Sequence, residues 1–451
     1  MGGGVPFTRP SAGVLLAGAL VCYDAKRSFP RSEEGEAQQV DGAVSVEIRP
    51  IRDQEVEEFA FVGAYAFNSS RAPEALQEAA AFARATYPLD WSLAAFVDGR
   101  MAAGLRVLPF AMRINGGAVA MGGVTAVACL PEHRRRGHVG ALLRRSLADM
   151  RERGQVLCGL YTPHYPLYRR YGWEVASTAV RYSFAPKDVQ VARPPREERC
   201  RRVTVDEWPA LHALYEEYTR GRNGPLVRVE VWWREAVFRA RREPQDAALW
   251  EGIGGEGLGY VVYRTRRFEV PDRPFPQSVL RVRELIALDG DAYAGLLSYL
   301  LRHDLHERIE WYASPEEPLL SVLTDPWRVR MEAWPALMLR LVDVPRALEA
   351  RPCLEQAQGR RLVLAVHDRT APWNEGVWRL EAGDGRLFVQ AASEQPDLTL
   401  DVRTLAALYN GYLAPAEAAR AGLLEVGRRS ALAEAAAIFS VSYAPFCIDE
   451  F

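Results

Sequence analysis

Hydrophobic positions along this chain follow the spacings of strands and of helices, and from about residue 44 they predict a mixed α/β protein. Short or alternating apolar runs predict strands. In the first part of the chain, these predicted strands are 44–51, 91–97, 101–114, 117–130 and 155–162. Apolar residues three and four positions apart predict a helix over 55–67 and a longer helix that begins near His138.

Two turn dipeptides indicate how the first strands are connected. Asp98-Gly99 and Asn115-Gly116 each separate two apolar runs, which is a strong β-hairpin signal. The three strands around these turns are therefore predicted to form an antiparallel meander, followed at once by the longer helix. A short helix around 166–173 and a strand pair across 175–184 complete this first module.

A similar order of elements recurs after a proline-rich, highly charged segment at 192–202. The second set consists of a helix at 206–220, strands at 257–264 and 279–288, and a helix at 292–305. A third set follows a break near 343–352, with strands at 361–368, 376–383 and 385–391 and helices at 403–413 and 430–439. We predict modules at 44–187, 188–345 and 346–451.

The residues before the first module, 1–43, are interpreted as a disordered leader. Their apolar run, 13–21, is long enough for the hydrophobic region of a signal peptide but too short to span a bilayer. Only Arg9 precedes that run, and the residues before Cys22 are not the small pair of a lipoprotein cleavage site. Secretion is the alternative interpretation.

Composition narrows the function classes. The 451 residues include 56 Lys and Arg against 58 Asp and Glu, a formal charge of −2, which argues against a general nucleic-acid-binding protein. The six cysteines are widely spaced with no C-x-x-C pair, so neither a disulfide framework nor a zinc site is expected. We expect no bound metal, no membrane association and a cytoplasmic location.

A cluster of arginines stands out against this near-neutral background. Arg134, Arg135 and Arg136 precede Gly137, between the end of a predicted strand and the start of a predicted helix. A strand, a tight turn and a helix N-terminus together present free backbone N–H groups to an anion, and a pyrophosphate would fit. A solvated basic helix start is the alternative, but the preceding meander favours the anion site.

The residues around this cluster carry a family resemblance. The segment 124–143, VTAVACLPEHRRRGHVGALL, and the later LYRRYGW at 167–173 resemble the motifs of GNAT acetyltransferases. Chain length, the second motif and the final residues APFCIDEF resemble the Eis-type (enhanced intracellular survival) N-acetyltransferases. The resemblance implies an α+β fold in which tandem GNAT domains precede a sterol-carrier-protein-like domain.

The resemblance also implies acetyl-CoA as co-substrate and a set of residues that bind it. The implied cofactor residues are Val127, Ala128, Cys129, Arg135, Arg136, Gly137, His138, Val139, Gly140, Pro163 and His164. Val139 stands where the superfamily usually has Gly or Ala. In the second module, Asp289 and Asp291 occupy the corresponding loop, where their carboxylates would repel a pyrophosphate. We therefore expect that copy to bind no cofactor and to form a wall of the acceptor cavity.

Two catalytic residues follow from the same resemblance. Tyr168 occupies the position of the general acid that protonates the departing thiolate, with Tyr165 a weaker competitor and Tyr171 interpreted as a packing residue. The terminal carboxylate of Phe451 is implied to accept the proton of the amine. We expect Asp449 and Glu450 to add negative charge beside it and so to favour polycationic acceptors.

The implied activity is transfer of acetyl to primary amines of aminoglycosides, polyamines or lysine side chains, by direct attack in a ternary complex. A ping-pong mechanism through Cys129 is disfavoured, because the sequence places no histidine to activate that thiol. The implied assembly is a homotrimer or homohexamer. The alternative function is a non-catalytic acyl-CoA sensor or small-ligand carrier, since a fold does not by itself carry a function.

Overall fold

The computed structural model describes residues 45–86, 88–195, 197, 199–239, 243–269 and 276–451. The predicted leader, residues 1–43, lies outside these described residues. Within them, the strands form three sheets of seven, seven and five strands.

The elements follow one another in three groups. The first contains β1 (Val46–Pro50), α1 (Val56–Ala66), α2 (Pro73–Thr86), β2 (Ser92–Val97), β3 (Arg100–Ile114), β4 (Gly117–Cys129), α3 (His138–Glu152), β5 (Leu157–Leu160), α4 (Tyr165–Arg169) and β6 (Glu174–Val175). The second contains β7 (Thr178–Phe184), β8 (Cys200–Val203), α5 (Trp208–Thr219), β9 (Asp246–Glu251), β10 (Gly257–Phe268), β11 (Gln277–Ala287), α6 (Gly290–Leu301), β12 (Arg308–Ala313), α7 (Leu319–Val322), β13 (Arg330–Pro335) and β14 (Met338–Leu341). The third contains α8 (Val344–Ala350), β15 (Arg361–His367), β16 (Gly376–Gly383), β17 (Arg386–Ala391), β18 (Leu398–Asp401), α9 (Val402–Tyr409), α10 (Pro415–Arg420), β19 (Leu424–Val426) and α11 (Ala431–Ile438).

The predicted meander is present with its two hairpin turns. β2 pairs with β3 and β3 with β4, all antiparallel. Asp98 and Gly99 have φ of 49° and 77°, and Asn115 and Gly116 have φ of 45° and 86°. Positive φ at both central residues is the requirement of the tight hairpin turn that these dipeptides favour.

Helices cover both faces of the first sheet and so position the long helix α3. Residues of β2 alternate between two hydrophobic cores, one on each face of the sheet. Leu93 and Ala95 belong to the core that contains residues of α3, whereas Ala94 and Phe96 belong to the core that contains residues of α1. This two-sided burial explains why β2, with the sequence SLAAFV, is buried and almost entirely apolar along its length. Four helices of the described residues, α2, α7, α8 and α10, are not among the predicted elements.

The first two sheets exchange strands. The sequence predicts a strand pair across 175–184, but β7 pairs with β12 and β13 in the second sheet and β6 pairs with β14, so the predicted pairing is wrong. In return, β14 pairs with β5 and β6 in the first sheet. The two sheets are therefore linked through shared segments of chain, and the predicted boundaries at residues 187 and 345 remain predictions.

A buried ion pair joins the first sheet to the third group of elements. Nη2 of Arg340 on β14 donates to both carboxylate oxygens of Asp368, at 2.9 and 2.8 Å, and the two side chains are at most 1% exposed. Removal of either partner would leave a buried charge uncompensated. No helix among the described residues has the length and apolar character needed to cross a membrane.

Candidate active site

The site is built where strands β4 and β5 diverge. Their parallel register contains three pairs and ends at Gly123 and Gly159, whereas β4 continues to Cys129. Beyond Gly123, the edge of β4 that faces β5 is therefore available to a ligand. The predicted strand residues Val127, Ala128 and Cys129 lie on this segment.

A bulge bends β4 just before those residues. Thr125 pairs with Arg106 and Ala128 with Gly104, so Ala126 and Val127 together oppose a single residue of β3. Ala126 has a φ of 53°, which is uncommon for a residue with a side chain. Such bulges redirect a strand edge and are frequent beside active sites.

The arginine turn leads directly into the N-terminus of α3. Arg135 and Gly137 both have positive φ, 61° and 88°, and no side chain caps the helix that follows Gly137. A Cβ at Gly137 would meet no atom within 4 Å, so the space in front of the helix is open. The uncapped N–H groups and the helix dipole are therefore directed at an unobstructed site suited to an anion.

The arginines of this turn differ in their contacts. Arg134 Nε donates to the backbone oxygen of Cys129 at 3.2 Å, which ties the turn to the end of β4. Arg135 and Arg136 are exposed, and neither forms an ion pair with a carboxylate within the part of the chain that the structure describes. These two guanidinium groups are the ones suited to contact phosphate oxygens.

The first turn of α3 contains His138, Val139 and Gly140. Burial, followed by the nearby His133 and Arg136, lowers the pKa of His138. A Cβ at Gly140 would lie 1.9 Å from the hydroxyl of Tyr171, so this glycine is also required for close packing of the segment after α4. Sequence reasoning assigned Gly140 only to the anion site.

Pro163 and His164 lie on the opposite side of the divergence, in the exposed loop between β5 and α4. The backbone N–H of His164 donates to Oγ1 of Thr162 at 2.8 Å, which fixes the turn of this loop. The structure therefore brings the sequence-predicted cofactor residues to the two sides of one cleft.

Tyr168 projects from α4 into the core beside this cleft. Its side chain is 7% exposed, and its ring centroid lies 6.2 Å from that of Trp173. Burial raises the pKa of Tyr168 to about 12, although a side-chain hydrogen bond with Thr162 opposes this shift. The phenol therefore keeps its proton at neutral pH, as a proton donor must.

Phe451 lies at the point where the two strands separate. Its side chain is 1% exposed, and its ring centroid is 4.8 Å from that of Phe110 and 5.4 Å from that of Tyr161. A Cβ at Gly123 would approach the Phe451 ring to 2.9 Å. Tyr161 and Thr162 are consecutive, so the two predicted catalytic residues contact adjacent positions after β5.

A cavity of about 570 Å³ opens beside these residues, between the β5–α4 loop, the second sheet and the C-terminal tail, residues 444–451. Its lining includes Tyr161, Thr162 and Tyr165, then Arg264, Arg281, Arg283, Tyr312 and Trp334, and from the tail Phe446, Ile448 and Glu450. The cavity is therefore lined by Thr162, which interacts with Tyr168, and by Tyr161, which contacts Phe451.

Comparison with known proteins identifies the family. Residues 47–176 and 224–341 match acetyltransferase (GNAT) domains, and residues 344–448 match a sterol carrier protein domain. An uncharacterized N-acetyltransferase of Streptomyces avermitilis is 32% identical over 75% of this chain and 83% of its own. N-acetyltransferase Eis of Mycobacterium bovis is 29% identical over 64% and 70%. The crystal structure of Eis1 from Mycobacterium abscessus, 27% identical, superposes with a TM-score of 0.74 over 90% of this chain and all of that one.

This chain belongs to the Eis-type GNAT N-acetyltransferases.

The predicted α+β architecture of tandem GNAT domains followed by a sterol-carrier-like domain is confirmed, as is the acyltransferase class. GNAT domains in general use acetyl-CoA. In the second GNAT domain of this Eis-type enzyme, the carboxylate of Asp289 accepts a hydrogen bond from the backbone N–H of Ala292 at 2.7 Å. The side chain thereby caps α6, at the position that Gly137 leaves uncapped in α3.

The C-terminal tail of the Eis-type enzyme is held by a buried charge network that the sequence did not reveal. Asp449 is 0% exposed and accepts hydrogen bonds from Arg228 Nε at 3.0 Å and Nη2 at 2.9 Å, and from Trp232 Nε1 at 2.8 Å. Arg228 also pairs with Glu284, and its guanidinium lies 3.9 Å from the ring centroid of Tyr215. The expectation that Asp449 adds negative charge for a polycationic acceptor is wrong, because arginines neutralise its carboxylate.

Sequence reasoning also missed Arg264, Arg281 and Arg283, which line the cavity of the Eis-type enzyme. A signal was available: LRVR at 280–283 alternates apolar residues with arginine, which predicts a charged strand face. The domain that this face contacts could not be read from the pattern. No group of three or more His, Cys, Asp or Glu placed to hold a metal ion occurs among the described residues.

Proposed function

We propose that this Eis-type N-acetyltransferase transfers the acetyl group of acetyl-CoA directly to a primary amine that occupies the 570 Å³ cavity. The observation that carries the proposal is the β4–β5 divergence. It has an uncapped, open helix N-terminus on one side, and Phe451 and the cavity on the other. A thioester placed in this cleft would be reached by an amine from the cavity.

Acetyl-CoA binding is assigned to the two sides of the cleft. Arg135, Arg136 and the amides from Gly137 to Gly140 would bind the pyrophosphate, because they combine charge with free N–H groups. The β4 edge at Val127, Ala128 and Cys129 would bind the pantetheine and acetyl groups, while Pro163 and His164 would contact the cofactor from the other side. Open space in front of Gly137 supports this fit.

In the proposed reaction, the amine nitrogen attacks the thioester carbonyl, the C–S bond breaks, and the thiolate takes a proton from Tyr168. With a phenol pKa of about 12 and an ordinary thiol pKa near ~8.5, that transfer is uphill by about 5 kcal/mol. Burial of the thiolate in the same cleft raises its basicity and narrows this gap. Tyr168 is therefore proposed as a moderate contributor.

The α-carboxylate of Phe451 is proposed to accept the proton that the amine loses, directly or through a water. An ordinary α-carboxyl and a lysine-like ammonium differ by about 7 pKa units, so orientation of the amine is part of the proposed role. The buried ring beside Phe110 and Tyr161 supports this assignment, because it holds the chain end at the cleft.

Covalent catalysis by Cys129 is disfavoured. Burial raises the pKa of this thiol, and the smaller effects of Arg134 and Glu132 oppose each other. The thiolate required for nucleophilic attack is therefore scarce at neutral pH.

An acceptor screen tests the proposal. Free thiol release from acetyl-CoA is measured with aminoglycosides, polyamines, arylamines, lysine peptides and amino acids, first with the chain that ends at Phe451 and then after deletion of Phe451. We expect turnover with part of the panel, a fall in kcat on deletion, and unchanged acetyl-CoA affinity by calorimetric titration. Binding of acetyl-CoA without thiol release from any amine would support an acyl-CoA sensor instead.

Two further assignments rest on the family resemblance and on composition. We propose assembly into trimers or hexamers, which sedimentation at several concentrations tests. We also propose a cytoplasmic location, since the cysteines are widely spaced and form no recognisable disulfide framework.

A further inference from the structure

The cavity wall contains two arginines at directly opposed positions of neighbouring strands. In the antiparallel register of β10 and β11, Arg264 pairs with Arg281. Opposed residues in such a pair have Cβ atoms about 5 Å apart, and like charges at this distance destabilise a sheet. Within the chain, Arg264 pairs with Glu243 and Arg281 with Glu310, so the repulsion between the two arginines is compensated by carboxylates outside the cavity lining.

A third arginine lies beside this pair. Val262 pairs with Glu284 and Tyr263 with Val282, so Arg283 is the extra residue of a bulge in β11. The bulge interrupts the regular alternation of the strand, and both Arg281 and Arg283 face the cavity. All three arginines line the cavity, with 16%, 26% and 17% of the side chains of Arg264, Arg281 and Arg283 exposed.

The carboxylates that pair with two of these arginines are more deeply buried than the arginines. Arg281 Nε lies 3.2 Å from Glu310, which is 5% exposed, and Arg283 Nη2 lies 3.4 Å from Asp449, which is 0% exposed. Arg264 pairs with Glu243, which does not line the cavity. Among the described residues, Glu450 is the one acidic side chain in the lining, and guanidinium groups outnumber it.

The rest of the wall is largely aromatic or apolar. It includes Tyr161, Tyr165, Tyr312, Trp334, Phe446 and Ile448. A polycation would meet like charge here and would lose hydration without a carboxylate-rich lining to replace it. An acceptor with one amine and one oxyanion matches the wall better, because guanidinium groups bind carboxylate and phosphate bidentately.

We propose that the acceptor of this enzyme carries a carboxylate or phosphate group, which binds Arg264, Arg281 and Arg283 while its primary amine points to the cleft at Phe451. This inference rests on the proposed acetyltransferase function and specifies its substrate class. It places aminoglycosides and linear polyamines among the poor acceptors.

Matched pairs of acceptors test the charge requirement. Thiol release from acetyl-CoA is compared for para-(aminomethyl)benzoate and its carboxamide, for aminohexanoate and its amide, and for phosphoethanolamine and ethanolamine. The first two pairs probe a carboxylate and the third a phosphate. We expect kcat/KM for the anionic member of at least one pair to exceed that of its neutral partner by about 10- to 100-fold, because the neutral compound cannot form charged hydrogen bonds with the arginines.

Variants locate the effect. Arg281→Gln should reduce kcat/KM for the preferred anionic acceptor about 10-fold or more, with little change for its neutral partner. Glu310 keeps Arg308 at 2.9 Å in this variant, so its carboxylate remains paired. Arg267→Gln, which removes an exposed charge from the same strand β10 outside the cavity, serves as the matched control. Unfolding midpoints equal to that of the wild-type protein verify that both variants are folded.

The outcomes separate the two proposals. Turnover that favours neutral or polycationic amines, or a selectivity that Arg281→Gln leaves unchanged, overturns the oxyanion inference and leaves acetyl transfer standing. No thiol release from any amine overturns the proposed function and this inference with it. Selectivity for the acid that disappears in Arg281→Gln and persists in Arg267→Gln supports the inference.

Discussion

Asp449→Asn tests whether the buried charge network holds the C-terminal tail at the active site. The substitution preserves side-chain shape and removes one negative charge. In the wild-type protein, one carboxylate oxygen accepts from Arg228 Nη2 and Trp232 Nε1, and the other accepts from Arg228 Nε at 3.0 Å. An asparagine can replace only one of these oxygens, so its amide N–H₂ would face an arginine donor.

The size of the effect follows from what remains. Removal of one partner of a buried ion pair costs about 3–5 kcal/mol. The lower end applies here, because Glu284 still pairs with Arg228 through two contacts, at 2.9 and 2.5 Å. A loss of about 3 kcal/mol increases the undocked fraction of the tail by roughly 100-fold.

Hydrogen exchange measures that change directly. The backbone N–H of Phe446 donates to the oxygen of Asn223 at 3.0 Å, so its exchange reports on tail docking. We expect exchange at Phe446 to be about 100-fold faster in Asp449→Asn, with unchanged exchange in α3, unchanged acetyl-CoA affinity and a lower kcat. Asp384→Asn, an exposed turn substitution in the third group of elements, is the control. Wild-type exchange at Phe446 in Asp449→Asn would refute the anchoring role of this carboxylate.

Three further predictions concern other parts of the molecule. Gly137→Asp should weaken acetyl-CoA binding by at least 10-fold through charge repulsion, whereas the Cβ of Gly137→Ala meets no atom within 4 Å, so that variant should show only the smaller effect of a strained φ. Equal acetyl-CoA titration curves for the two variants would contradict the assignment of Gly137 to the anion site. Tyr168→Phe should lower kcat by about 10²–10⁴-fold with unchanged acetyl-CoA affinity, and a wild-type kcat in this variant would exclude the role of Tyr168 as the acid. Because the pKa of the Tyr168 phenol is about 12, the rate of the wild-type enzyme should not decline through ionisation of this phenol up to about pH 10. Burial raises the pKa of Glu317 from 4.5 to about 7, against smaller opposing effects of Tyr293 and Arg222, so the stability that its protonated form contributes is complete below about pH 4.5 and is lost as the pH rises through about 7. Glu317→Gln should remove up to about 3 kcal/mol of this pH dependence in urea unfolding, and parallel curves for variant and wild type would contradict the assignment.

Local chemistry explains which parts of the fold and of the candidate site the sequence predicted. The Asp98-Gly99 and Asn115-Gly116 turns have the positive φ that their residue types favour, so the meander follows from local turn preferences. The arginine turn and the start of α3 at His138 also follow from neighbouring residues. The family resemblance then added Tyr168 and Phe451, and the structure places both beside the same cleft. Their catalytic roles remain predictions.

The order and type of most elements were determined by the sequence alone, because apolar periodicity and turn residues act over a few positions. Only the tertiary structure decided that β7 joins the second sheet and β14 the first, since strand partners distant in the chain are selected by shared burial. The same holds for charge. The pairing of Asp449 with Arg228 joins residues 221 positions apart, and that of Arg264 with Arg281 depends on a register shifted by a bulge. No local sequence pattern specifies such long-range contacts. These contacts nevertheless determine that the carboxylate of Asp449 is paired in the core and that Arg264 and Arg281 line the cavity.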